Sequence, residues 1–432
     1  MTSRARRLIV AVFSGILGRA VVLVAPVVVM GPMLTHLGPS LFGMWLTALA
    51  VTAMASFLDF GIGNATLTRL ADAFGRDDPA AVRRVLGEAY FLLGGISFVL
   101  LALVGLGVVL APHVMPEAVA SGQVALLAIV LVALFLSFPT LMIWRLLQAQ
   151  HAFVQSQLAQ IAGPLLALVA CLVAIRAGAH PIAVVAFYAL ANTLVQLVWT
   201  VVYFLRNPSH RPQFVGLDRQ SMRSMLALGG AFFVLSIFSL SGMNADNVII
   251  AARAGAAVVA EYGVPAKLGS ILMMIVGTVF MPLWPLFGDA LARQDRAWLL
   301  TTTRRMSIGG AACVLAIGLG LTAFADPILS AWMGRGFADQ KLILLGWTVA
   351  TTVIAFTAPY NMVLNAAGLA RPQILPWAAF VVVSIGAKAM LLTPETAWWA
   401  PWITAVIYAV AVSPWMIMMA LKVCYRRDSS VG

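Results

Sequence analysis

The sequence has little charge. Asp, Glu, Lys and Arg make up 10% of its 432 residues, apolar residues 62%, and the mean hydropathy is +0.99. A water-soluble domain carries about 25% charged residues, so that class is excluded. Cysteine is scarce too. Cys171, Cys313 and Cys424 lie within or beside apolar stretches, with neither a disulfide framework nor zinc-ligand spacing. The five histidines are scattered, so no metal and no cofactor is expected. There is no G-x-x-x-x-G-K-[ST] loop, which excludes nucleotide hydrolysis of the P-loop kind. Long polar segments are missing as well: the longest, residues 206–223, is short for a membrane glycosyltransferase or polysaccharide polymerase. An enzyme is therefore not expected.

Acidic residues are outnumbered, 15 against 27 basic, for a net charge of +12. Such an excess often marks nucleic-acid binding. Here the basic residues sit in short loops between apolar runs rather than on one soluble face, so no nucleic-acid partner is expected.

Apolar runs are what the chain does have. A bilayer core about 30 Å thick needs about 20 apolar residues per helix. Runs of that size recur at 8–33, 40–62, 87–111, 122–144, 157–177 and 182–205, then at 224–250, 261–288, 306–330, 341–365, 372–393 and 398–421. These twelve spans predict an all-α membrane protein with both termini on one side. Arg4, Arg6 and Arg7 precede an apolar run too long for a signal peptide, so it reads as an uncleaved first helix. With the N-terminus inside, twenty Lys and Arg fall in inner loops and four in outer ones, among them Arg176 and Arg253. This bias predicts cytoplasmic termini in a multi-pass protein. Trp398, Trp399 and Trp402 are expected in an interfacial belt.

The chain also repeats itself. ADAFGRDDPA at 71–80 returns as GDALARQDRA at 288–297, an offset of 217 residues. The same offset pairs Leu147-Gln148-Ala149 with Leu364-Asn365-Ala366, and Gly38 with Gly255. Both long matches follow even-numbered spans, so the repeat predicts two parallel six-helix halves. The expected division is residues 1–205, a basic cytoplasmic linker at 206–223, and residues 224–432 with a short tail. Parallel halves are a transporter architecture, with substrate held in a central cavity and access alternating by rocking.

Five charges inside the spans are candidate site residues. Arg19 lies roughly 16 Å into the first span at 1.5 Å per residue. There an arginine costs roughly 2.5–3.5 kcal/mol, so it must meet protein or water. Ser14, Gly15 and Gly18 leave room around it, and Pro26 is expected to bend its helix. The alternative is a structural ion pair with a carboxylate from another helix. Lys267 and Lys388 lie in the outer parts of their spans, either lining a cationic cavity with Arg19 or snorkelling to the interface. Asp59 and Asp246 are either ion-coupling sites or structural: a helix-end hydrogen bond for Asp59, a partner of Arg253 or Lys267 for Asp246. Pro139, Pro282, Pro285 and Pro359 are expected to kink other spans.

The elements LGPSLFGMW at 37–45, DFGIGNA at 59–65, NADNVII at 244–250, EYGVPAKL at 261–268 and PLWPLFGDA at 282–290 carry a resemblance. In this order they resemble the oligosaccharide-lipid (O-antigen and polysaccharide) flippases, whose superfamily also holds the multidrug and toxin extruders. The resemblance implies flipping of undecaprenyl-pyrophosphate-linked sugar units across a bacterial inner membrane. It implies lipid-linked oligosaccharide, membrane lipids and polysaccharide-assembly proteins as partners of a monomer. The rival within the superfamily is a multidrug or cation antiporter. Such a pump should place carboxylates deepest, whereas the deepest charge here is Arg19.

Overall fold

In a computed structural model, the structure describes residues 28–38, 40–49, 52, 59–333, 336 and 339–425. Most of those residues are helical, with no strand among them. Among the described residues, ten helices are long and apolar enough to cross a membrane. The first two expected spans fall partly outside the described residues, which retain α1 (Val28–Gly38) and α2 (Ser40–Leu49) of them. The protein is a multi-pass α-helical membrane protein.

The chain forms two compact units, Met1–Gly230 and Ala231–Gly432. In the first, α3 (Ile62–Gly75) turns into α4 (Pro79–Val114). The four helices α5 (Gln123–Thr140), α6 (Met142–Ala149), α7 (Phe153–Arg176) and α8 (Pro181–Arg206) follow. At 36 residues, α4 is about 54 Å long and outruns the bilayer core. The pair α7 and α8 packs side by side, and α5 lies between α8 and α4. Small hydroxyl and amide groups tie these helices, because lipid gives apolar surfaces no reason to associate. Ser97 donates to the Phe135 carbonyl at 2.6 Å, and Thr140 to Gln196 Oε1 at 2.7 Å.

Helix α9 (Arg219–Asn244) begins in the first unit and ends in the second. The second unit continues with α10 (Asp246–Ala254), α11 (Ala256–Phe280), α12 (Leu283–Ala292), α13 (Arg296–Ala323) and α14 (Ala325–Met333). It ends with α15 (Gln340–Ala366), α16 (Arg371–Leu391), α17 (Ala400–Ile407) and α18 (Ser413–Tyr425). Helix α15 is packed by α13, α11, α17, α18 and α12. A π-helical turn at Tyr408–Val412 joins α17 to α18.

Several expected spans are interrupted, among them 122–144, which breaks at Leu141 between α5 and α6. The run 224–250 breaks at Ala245, where α10 starts afresh with the Asp246 carboxylate in its first turn, the end where the helix dipole favours an anion. The run 261–288 breaks before Leu283, since Pro282 has no N–H to continue the ladder. The ninth span starts earlier than expected, at Arg296, and stops at Ala323, leaving α14 separate. Pro359 lies inside α15 without ending it, and Pro139 sits at the last turn of α5. Pro26 is outside the described residues.

The 217-residue repeat extends to backbone conformation. Arg76 pairs with Asp72 at 2.9 Å, and Arg293 with Asp289 at 2.7 Å. Asp78 caps α4 by accepting from the Ala81 N–H at 2.9 Å, while Asp295 caps α13 from Trp298 at 3.2 Å. Positive φ angles recur at the same offset: Gly38 and Gly255, Asp77 and Gln294, Gly122 and Asp339, His151 and Gly368.

Candidate functional site

Two of the candidate charges meet inside the second unit. Lys388, near the end of α16, is fully buried, and its ammonium bonds Asp246 Oδ1 at 2.5 Å and Thr404 Oγ1 of α17 at 2.7 Å. The other carboxylate oxygen of Asp246 accepts from the Tyr262 hydroxyl of α11 at 2.6 Å. Both side chains are shut away from solvent, with exposures of 1% and 7%. Ile249, Ile250, Ala266, Ile343, Leu392 and Ala400 enclose it in an apolar cluster. The ammonium and carboxylate satisfy each other in a dry setting, where losing either partner would strand the other.

This corrects two expectations. Asp246 is partnered by Lys388, from 142 residues away, rather than by Arg253 or Lys267. Lys388 does not snorkel, because no part of it reaches the surface. Lys267 has an exposed side chain on α11, with Ile271 exposed one turn further on. Asp59 accepts from the N–H groups of Gly61 at 2.9 Å and Gly63 at 3.4 Å, at the start of α3. Arg145 of α6 lies alongside, and Gly63 makes room for both: a Cβ there would stand 3.0 Å from Asp59 Oδ2 and 3.3 Å from Arg145 Nε. Arg19 is outside the described residues.

A second polar cluster was not anticipated from sequence. Arg69 of α3 bonds Glu88 of α4 at 3.2 Å and the Ser221 carbonyl of α9 at 3.3 Å. Ser221 Oγ also donates to Glu88 at 2.8 Å. Burial pulls the Arg69 guanidinium below its ordinary value, with the Glu88 carboxylate acting in the opposite direction. A carboxylate at the edge of an apolar run was the available signal for Glu88. Tyr262 and Thr404, which complete the buried cluster, carried no such signal. Among the described residues, no group of three His, Cys, Asp or Glu side chains is placed to hold a metal ion.

The arrangement is thus a bundle of membrane-spanning helices with buried ion pairs and no metal cluster among its described residues. Residues 10–291, well over half the chain, match the family described as polysaccharide biosynthesis protein. The chain belongs to that family. This polysaccharide biosynthesis family member shares its fold with transporters of known structure. It superposes on a MATE transporter crystallised in the bent conformation with a TM-score of 0.82, at 15% identity over 97% of this chain and 96% of that one. A variant of the Vibrio cholerae MATE transporter VcmN gives 0.80, at 15% identity over 98% and 99%. A MOP superfamily transporter from Pyrococcus furiosus, described as having a binding pocket of reverse polarity that suggests a different function, gives 0.75 at 13% identity over 96% of each chain. No match was found among curated protein sequences.

Proposed function

We propose that this protein is a flippase that moves undecaprenyl-pyrophosphate-linked oligosaccharide, an O-antigen or exopolysaccharide unit, across a bacterial inner membrane by alternating access. Family membership carries the reading: a polysaccharide biosynthesis protein with a transporter fold moves the sugar precursor rather than building it. The charges support an anionic cargo. Lys267 is the twelfth residue of the membrane-spanning α11, and its side chain is exposed. A lysine at the centre of a membrane helix costs roughly 2.5–3.5 kcal/mol when it faces hydrocarbon, and we assign Lys267 to a wet path that a diphosphate headgroup can use rather than to the lipid interface. Arg19, from its depth in the sequence, is the second cation we assign to that path. The carboxylates Asp59 and Asp246 are both engaged by donors within their own unit, so neither is left to bind a lipophilic cation. The reverse pocket polarity described for the Pyrococcus furiosus transporter is in keeping with a fold that accommodates more than one sign of charge.

The test compares Lys267→Glu, Lys267→Arg and Arg19→Ala for membrane abundance and surface polysaccharide in a strain lacking the native gene. We expect normal abundance, loss of most export in Lys267→Glu and Arg19→Ala, and partial export in Lys267→Arg. Full export at normal abundance in both charge-altering variants would overturn the cationic path and favour a cation extruder.

A further inference from the structure

The repeat allows the cores of the two halves to be compared position by position. At the offset of 217 residues, Asp246, Tyr262 and Lys388 correspond to Val29, Trp45 and Cys171. The register is anchored on both sides. The positive-φ pair Gly38 and Gly255 follows Val29 and Asp246 at the same spacing, and the pair His151 and Gly368 precedes Cys171 and Lys388 likewise. Val29, Trp45 and Cys171 are all fully buried, and they share one apolar cluster with Met33 and Leu126. The counterparts of those two neighbours, Ile250 and Ile343, line the cluster around the ion pair. One place in the fold is therefore filled twice: in the first half by aliphatic, indole and thiol groups, in the second by a carboxylate, a phenol and an ammonium.

The architecture does not need the ion pair, since the first half does without it. Replacing a buried pair by apolar side chains of similar volume is commonly neutral or stabilising, so stability does not explain its presence either. What it does have is position. Asp246 and Tyr262 belong to the neighbouring helices α10 and α11, Lys388 and Thr404 to α16 and α17. Four hydrogen-bonding groups thus clamp one helix pair to another. Partial separation would leave two unpaired charges in a dry core, so only a closed dry state and an open wet state are stable.

We propose that Asp246–Lys388 is an ion-pair switch, opened and closed during transport, that the second half possesses and the first half lacks. The inference rests on the transport reading for one of its two readouts. In a background with Cys171, Cys313 and Cys424 replaced by alanine, Ala400→Cys, within the same cluster, reports water access through a membrane-impermeant maleimide. The apolar triple variant Asp246→Val, Tyr262→Phe, Lys388→Met removes the switch while keeping the volume. We expect the triple variant at parental abundance, with labelling of Cys introduced at 400 and polysaccharide export each reduced at least tenfold. Lys388→Met alone should lower abundance, because it strands Asp246. Labelling of the triple variant at the parental rate overturns the switch, and so does loss of its abundance, which would make the pair structural. If the parent exports no polysaccharide, the flippase reading fails while the labelling contrast still decides the switch.

Discussion

His210, in the connection after α8, is held neutral by its surroundings. Its Nδ1 lies 2.7 Å from the Tyr203 hydroxyl and 3.2 Å from Gln150 Nε2, and its ring meets Phe74 edge-on. An amide N–H can only donate, so Nδ1 must keep its lone pair; burial adds to this and lowers the imidazole below its ordinary value. The sign follows. Between the lowered folded pKa and the ordinary one near 6.5, the unfolded chain binds the proton and the folded one does not. The contribution is complete above about pH 6.5 and is lost as pH falls through the folded pKa. Thermal unfolding in detergent should show parent and His210→Gln converging as pH is lowered from 7.5 to 5; a gap that widens instead would contradict this. Residues of this kind were only partly legible. The sequence marked Asp246 and Lys388 as unusual because charge inside an apolar run always needs an explanation. It could not pair them, since a contact between α10 and α16 leaves no trace in local spacing.

Among the helices and turns, the repeat was the best-recorded feature. Sequence showed Asp72, Arg76 and Asp78 recurring as Asp289, Arg293 and Asp295, and the structure gives each triplet the same use, an i,i+4 pair in the last turn of one helix and a cap on the next. Identity at Asp78 and Asp295 persists because a short acceptor must reach the third N–H of the following helix. Asp77 and Gln294 differ in identity yet share a left-handed backbone, at φ 53° and 57°, which composition alone does not reveal. Asp78→Ala and Asp295→Ala should each destabilise by about 1 kcal/mol. Gln294→Gly should be close to neutral, while Gln294→Val, β-branched at positive φ, should cost about 1–3 kcal/mol. Thermal midpoints of the four purified variants check the pattern, and a harmless valine would refute the shared turn geometry. The break at Pro282 was legible, since a proline there was expected to kink its span; the break at Ala245 was not, because hydropathy continues across it and a helix that restarts inside apolar surroundings changes neither composition nor length.

For the whole molecule, hydropathy was enough to give fold class, because a bilayer leaves backbone N–H and C=O groups no partner except one another. Loop charge adds orientation, which a fold without its membrane does not contain. The two repeated turns test that orientation. Residues 72–78 and 289–295 hold the same pairs and caps in the two units. If the units arose by duplication of six spans, an even number, both turns lie on the same membrane face, and the arginine excess makes that face cytoplasmic. Were the repeat inverted, as in many transporters, the turns would lie on opposite faces with the same internal geometry. Single cysteines at the exposed, equivalent positions Ala80 and Ala297, just past the two turns, and a third at Val215 in the basic connection, separate the alternatives. We expect all three to resist a membrane-impermeant maleimide in intact cells and to react once the membrane is opened. Reaction of one turn but not the other in intact cells would establish an inverted repeat. Reaction of all three would place the basic loops outside and reverse the orientation drawn from the charges.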